Sequence, residues 1–285
     1  MAPTPNAAAA GTFKLGDLTV NRMGYGAMRI TGEGIWGEPK NPTEAKAVLR
    51  RAVELGVQLI DTADSYGPDV SERLIGETLH PYPPGVVIAT KGGLVRGGPG
   101  IWNRDCSPAH LTRALEGSLK RLRVERIDVY QLHAVDPRVP FEESVGTLAR
   151  LREQGKIRHV ALSNVSVEQL RAARRLVPIV SVQNRYNLTD RQSDDVLAEC
   201  EREGLGFLPY FPLAANALTG DNSPLVQAAK RHGVTPGQLA LAWLLHRSPV
   251  MLPIPGTSSV KHLEENVAAA SVKLTADEMR ALERG

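Results

Sequence analysis

Short apolar runs recur along the chain, separated by longer amphipathic stretches. The runs are Arg22–Tyr25, Leu59–Thr62, Val86–Thr90, Ile127–Leu132, His159–Ser163, Ile179–Gln183, Gly206–Tyr210 and Val250–Ile254. They are rich in Val, Ile and Leu with little polar alternation, as a strand buried on both faces reads. Helix punctuation fills the stretches between them. Asn41-Pro42 with Glu44 has the form of a capping box. Ala45, Val48, Leu49, Ala52 and Val53 then share one helical face, and Gly56 stops the helix. Ser107-Pro108 opens a second helix and Gly155 closes the one before Ile157. Ser166 with Gln169, Thr235 with Gln238 and Thr275 with Glu278 repeat the start signal. Eight strands, each followed by a helix, predict parallel pairing with right-handed crossovers. Eight such units predict closure into an α/β fold, the (β/α)8 TIM barrel, with an open doubly wound sheet as the alternative. Phe13–Leu15 and Leu18–Val20 flank Gly16-Asp17, which predicts a short N-terminal β-hairpin plugging the barrel bottom.

Length and composition agree with one barrel. The chain has 285 residues, 42% of them hydrophobic, and such a barrel needs roughly 250. Residues 1–10 read as a disordered tail and 11–285 as a single domain. The net charge is +3, from 34 Lys+Arg and 31 Asp+Glu without a basic block, so no nucleic-acid partner is expected. Cys106 and Cys200 lack metal-ligand spacing; no metal site is expected, and a reducing cytoplasm fits them best. The first ten residues lack the features of a signal peptide, and no run approaches the ~18 apolar residues of a membrane span. With no apolar surface stripe, a monomer is the default.

Gly32, Gly34 and Gly37 satisfy G-x-G-x-x-G, but Glu38-Pro39-Lys40-Asn41-Pro42 follows where a helix should already have begun. The glycines therefore read as a loop, and any dinucleotide must be held in another way.

In a barrel, chemistry sits at the C-terminal ends of the strands. There the runs end in Asp61, Lys91, His133, Ser163-Asn164, Gln183-Asn184 and Tyr210, with Tyr66 in the loop after Asp61. Four of these make a coherent proton donor. A free tyrosine has a pKa of about 10. A nearby Lys91 ammonium lowers it, Asp61 holds that lysine, and His133 orients a carbonyl oxygen against the Tyr66 hydroxyl. Each residue also has a plain reading: Asp61 as a helix cap, Tyr66 as a turn tyrosine, Lys91 as a solvated loop lysine, His133 as a core histidine. Their convergence at one rim is what favours chemistry. A Schiff-base aldolase working through Lys91 is the rival enzyme class.

At these residues the chain resembles the aldo-keto reductase superfamily, from about Phe13 onward. The segment Leu59-Ile60-Asp61-Thr62-Ala63-Asp64-Ser65-Tyr66-Gly67 matches a family signature, followed by Ala89-Thr90-Lys91 and Tyr130-Gln131-Leu132-His133. The resemblance implies a catalytic tetrad of Asp61, Tyr66, Lys91 and His133, with Tyr66 as general acid in carbonyl reduction. It implies a nicotinamide cofactor, NADPH with NADH as the alternative. Ser163, Asn164 and Gln183 match residues that bond the carboxamide, and Tyr210 the aromatic that stacks on the ring. Phe211 and Leu213 fall where relatives grip the pyrophosphate, often with Ser in place of Phe211. Gly256, Thr257 and Ser258 lead into a helix with His262, Glu265 and Asn266, where relatives hold the 2′-phosphate and adenine. The Lys and Arg that many relatives place near Gly256 and His262 are missing; helix N-terminal amides and Lys261 are the substitutes. A cofactor-binding regulatory subunit with little turnover is the non-enzymatic alternative.

The pocket mouth is expected from residues 30–41, 92–105, 134–140 and the loop after Leu213. Trp36 and Trp102 are candidate walls, and Met28 takes a place where relatives often carry an aromatic. The short stretch after Met279 adds to the expectation of an open site for a mid-sized carbonyl: an aromatic aldehyde, a quinone or a keto-sugar.

Overall fold

A computed structural model describes residues 4–213 and 223–284. Seven parallel strands form one curled sheet in the order β11-β10-β9-β8-β5-β4-β3. They are β3 (Tyr25–Gly26), β4 (Leu59–Asp61), β5 (Val87–Gly92), β8 (Ile127–Leu132), β9 (Ile157–Ser163), β10 (Ile179–Arg185) and β11 (Gly206–Tyr210). Around them run α1 (Pro42–Glu54), α2 (Val70–Leu79), α3 (Pro108–Leu122), α4 (Phe141–Glu153), α5 (Val167–Arg174), α6 (Asp194–Glu203), α7 (Pro224–His232), α8 (Pro236–Arg247), α9 (Val260–Ala268) and α10 (Ala276–Arg284). The fold is a (β/α)8 barrel. The predicted capping pairs at Ser166 and Thr235 are present, and Thr275 and Glu278 exchange the same reciprocal bonds. Asn41 caps α1 by accepting from the Glu44 amide, but Glu44 does not reach back; its carboxylate accepts from Val260 N at 3.1 Å.

The eighth predicted strand, 250–254, closes the barrel without forming a regular ladder. Phe207 N donates to Val250 O and Leu252 N to Phe207 O on one side, while Gly24 N donates to Pro253 O on the other. Pro253 and Pro255 have no amide hydrogen, so every second rung is lost and the segment stays irregular. Side chains and missing side chains close the gap. Arg22 donates to Leu245 O at 2.7 Å and to Ser248 O at 2.5 Å. A Cβ on Gly26 would lie 2.6 Å from Ile254 O, so only glycine admits this approach.

At the opposite mouth, β1 (Thr12–Leu15) and β2 (Leu18–Asn21) pair antiparallel across Gly16-Asp17. Leu15 and Val20 pack into the interior with Leu59, Val87, Ala89, Val129, Ala161, Leu208 and Leu252. The hairpin is thus the barrel's plug. Residues 4–10 are not a loose tail, contrary to the expectation. Asn6 caps a 3-10 turn at Ala7–Ala10, and Ala7 is fully buried with its amide on Leu55 O. Small alanines fit a gap that a polar tail would not. Residues 1–3 lie outside the described set.

A second departure lies after β5. Leu94–Gly98 (β6) and Ile101–Arg104 (β7) form an antiparallel hairpin over the rim. Pro99-Gly100 makes its tip, and Arg96 anchors it. The Arg96 guanidinium donates to the carbonyls of Ile35, Ser65, Gly34, Gly98 and Ile101 and lies 3.8 Å from the Trp102 ring centroid.

Candidate active site

Strand periodicity puts the polar residues in place. Successive side chains alternate faces, so the residue two beyond an interior apolar side chain also faces inward. Leu59 is followed in this way by Asp61, Ala89 by Lys91, Val129 by Gln131 and then His133, Ala161 by Ser163, and Leu208 by Tyr210. β10 reaches Gln183 through a register shift between Ile179 and Val182. The interior is therefore apolar toward the plug and polar toward the strands' C-terminal ends.

There the four expected tetrad residues come together. Lys91 Nζ donates to Asp61 Oδ2 at 2.7 Å, to Thr62 O at 2.7 Å and to the Tyr66 hydroxyl at 3.4 Å. All three ammonium protons are placed. Asp61 Oδ1 accepts from Gln131 Nε2 at 2.9 Å and Gln183 Nε2 at 2.8 Å. Burying such an ion pair is costly unless its remaining groups are bonded, and here they are. His133 stands with its ring centroid 5.9 Å from that of Tyr66, and its Nδ1 is 3.4 Å from Ser65 Oγ.

Burial and charge set the protonation states. Burial is the largest single influence and opposes the Lys91 charge, but Asp61 and the Tyr66 oxygen together outweigh it, and the ammonium is held more firmly than in a free lysine. Burial pushes the Tyr66 phenol above its ordinary value, and Lys91 opposes that only in part. This corrects the expectation of a net lowering: the ammonium acts as foreseen, but the desolvation of a buried phenol is the larger effect. Burial, with Lys91 nearby, drives His133 well below the usual histidine range, so its ring is neutral. Asp64 in the same loop is pushed well above the usual carboxylate range by burial and then by Glu72.

Asp61, Tyr66 and His133 open into a cavity of about 600 Å3. Its wall includes Ser163, Asn164, Gln183, Tyr210, Phe211, Leu213 and Gly256 among the expected cofactor residues, with Met28 and Trp102 from the expected substrate wall. Asn164 links the strand ends, donating to His133 O at 3.0 Å and accepting from the Tyr210 hydroxyl at 2.7 Å. Trp36 does not line the cavity; it packs against Arg96, 5.6 Å from the guanidinium. Thr257, Ser258, His262, Glu265 and Asn266 lie outside the wall as well, on the segment leaving it and on α9.

Similarity to known proteins agrees with this geometry. The aldo/keto reductase family model matches residues 22–284. The chain belongs to the aldo/keto reductase family. An uncharacterized oxidoreductase of Schizosaccharomyces pombe is 50% identical over 272 residues, covering 95% of this chain and 89% of that one. Pyridoxine 4-dehydrogenase of Escherichia coli is 42% identical over 278 residues, covering 95% and 97%. A solved aldo/keto reductase from Klebsiella pneumoniae, in complex with NADP and acetate, superposes with a TM-score of 0.80 at 29% identity, covering 93% of this chain and 91% of that one. This member of the family is an oxidoreductase built for carbonyl chemistry. Gln131, Arg96, Ser65, Leu94 and Arg29 were not singled out as site residues by sequence reasoning. The alternation Val129-Gln131-His133 was the available signal for Gln131; the others depend on where loops land.

Proposed function

We propose that this chain reduces an aldehyde or ketone to the alcohol with NADPH, using Tyr66 as the proton donor. The observation that carries the reading is the Lys91 ammonium spanning Asp61 and the Tyr66 hydroxyl, beside a neutral His133, at the floor of one cavity. The cavity fits a nicotinamide nucleotide. It offers the Ser163 hydroxyl and the Asn164 and Gln183 amides for a carboxamide, the Tyr210 ring as a stacking face, and a volume in the usual range for cofactor sites. The Klebsiella relative in complex with NADP supports the choice of nucleotide. When bound, the cofactor supplies the hydride.

The chain's own residues manage the proton. In the tautomer that carries its hydrogen on Nε2, a neutral His133 accepts from Ser65 Oγ at Nδ1 and holds a carbonyl oxygen with Nε2–H. Tyr66 keeps its proton in the resting site because burial disfavours phenolate. An alkoxide forming beside it is far more basic and takes that proton. Lys91 is then positioned to stabilise the phenolate left behind. Asp61, Gln131 and Gln183 keep the ammonium charged and in place. A lysine so held is a poor nucleophile, which counts against the aldolase alternative.

The relationship to pyridoxine 4-dehydrogenase suggests the substrate pair. Oxidation at the 4-position of pyridoxine, run in reverse, is reduction of an aromatic aldehyde. The test is direct: titrate the protein with NADPH by intrinsic fluorescence, then follow nucleotide oxidation with pyridoxal, other aromatic aldehydes, quinones and keto-sugars. Saturable binding with turnover of pyridoxal in the front rank is expected. Tight binding with no turnover on the whole panel would point to a regulatory subunit instead.

A further inference from the structure

We infer that Arg29 is the cation that grips the diphosphate linking the two halves of the cofactor. The inference rests on the cofactor reading above. A nicotinamide dinucleotide carries at least two negative charges in its linker, and an anion entering a low-dielectric cavity needs a matching cation or a set of amide donors. Among the described residues lining the central cavity, Arg29 is the one side chain that carries a fixed positive charge.

The nearby cations are already committed. Lys91 places its protons on Asp61, Thr62 and Tyr66. Arg96 is spent on five backbone carbonyls. Arg185, whose guanidinium lies 5.8 Å from the Phe211 ring, pairs with Asp190 at 2.7 Å. Arg29 differs from all of these: it is exposed and has no hydrogen bond or ion pair among the described residues.

Position selects the diphosphate over the 2′-phosphate. Arg29 sits on the 3-10 turn Ala27–Ile30 that follows β3. Its stem packs beside Gly256, where a Cβ would lie in ordinary contact with Arg29 Cγ at 3.5 Å but only 2.8 Å from Gly26 O, so the turn carrying Arg29 and the closing segment meet closely here. Arg29 and Gly256 line the cavity together with Asp61, Tyr66 and Tyr210, whereas His262, Glu265 and Asn266 on α9 do not. The nucleotide's adenosine half therefore leaves the cavity past Gly256, and the segment inside beside Arg29 is the linker. The first free amide of α9, on Val260, is meanwhile occupied by the Glu44 carboxylate. That carboxylate repels an anion at the helix end, which increases the demand on Arg29.

Dissociation constants for NADPH and NADH, measured by fluorescence titration on the wild type, Arg29→Met and Arg29→Lys, test the assignment. NADH lacks the 2′-phosphate but keeps the diphosphate. Arg29→Met should weaken both nucleotides by a similar factor, roughly 10-fold or more for a charge-assisted contact, and Arg29→Lys should recover part of the loss. Arg29 is exposed and unpartnered, so the melting temperature without nucleotide should not move. Unchanged affinities in Arg29→Met overturn the assignment, and so does a loss confined to NADPH, which would place the guanidinium on the 2′-phosphate. A wild type that binds neither nucleotide is a separate result and removes the cofactor reading itself.

Discussion

Thr90 and Lys91 are neighbours on β5, and each serves a buried ion pair on the opposite face of the same strand. Lys91 points inward to Asp61 and Tyr66, at the floor of the cavity. Thr90 points outward to Glu72 of α2, whose second oxygen accepts from Arg121 Nε of α3 at 2.7 Å. Both acids are almost completely buried, and both are fully bonded. Burial and charge are therefore no guide to which pair does chemistry. The inner pair touches a proton that faces an open cavity, while the outer pair fastens two helices to a strand. Both cost desolvation, and only the inner one borders the cavity to which the proposed chemistry is assigned.

Removing one partner on each face separates the two roles. The largest expected effect is on the inner side. Tyr66→Phe should cut carbonyl turnover by about 10²–10⁴-fold, the usual range for loss of a general acid, with nucleotide affinity and thermal stability nearly unchanged. Full retention of activity would mean that the proton comes from elsewhere. On the outer side, Arg121→Met leaves the Glu72 carboxylate uncompensated and should cost about 3–5 kcal/mol of stability, toward the lower end because Arg121 is partly exposed. Denaturant midpoints would register it, while turnover per folded molecule should persist at low temperature. If instead turnover collapses in a folded variant, the two pairs are coupled through β5.

Thr90→Val is the milder probe of the outer pair. It removes one hydrogen bond to Glu72 and should cost about 1 kcal/mol, read from the shift in denaturant midpoint. The smallest effect concerns pH. Folded His133 resists protonation because of burial and Lys91, whereas in the unfolded chain it takes a proton near pH 6.5. Its contribution to stability is therefore complete above that value and lost as the pH falls below it. Melting curves between pH 7 and 6 should show a shallow decline that His133→Gln flattens. An equal slope in that variant would assign the decline to other groups.

The strand ends were legible in the sequence because an apolar run that stops at a polar residue marks the transition from core to rim. Asp61, Lys91, His133, Ser163, Gln183 and Tyr210 all emerged in this way. The closing segment at 250–254 was legible as an element but not as irregular, although Pro253 and Pro255 carry the reason. The hairpin over the rim was not foreseen. Leu94-Val95-Arg96 and Ile101-Trp102-Asn103 are short, and a Gly-Gly-Pro-Gly turn reads equally as loop. Arg96 is invisible to local pattern, because three of its five acceptors come from segments about 30 and 60 residues away. The upward shift of Tyr66 was missed for a related reason: a charge partner can be guessed from the sequence, but the depth of desolvation belongs to the assembled site.

The proline-bearing seam bears on how the molecule responds to occupancy. One bank of the cavity, Gly26, Met28 and Arg29, belongs to the first strand and the turn after it; the other, Ile254, Pro255 and Gly256, belongs to the closing segment. A molecule lodged between them touches both banks of a joint that lacks a regular ladder and is crossed by the bonds of Gly24 N to Pro253 O and Gly26 N to Pro255 O. It acts as a rivet there, so that amide exchange at Gly24 and Leu252 should slow on binding even though neither residue faces the cavity.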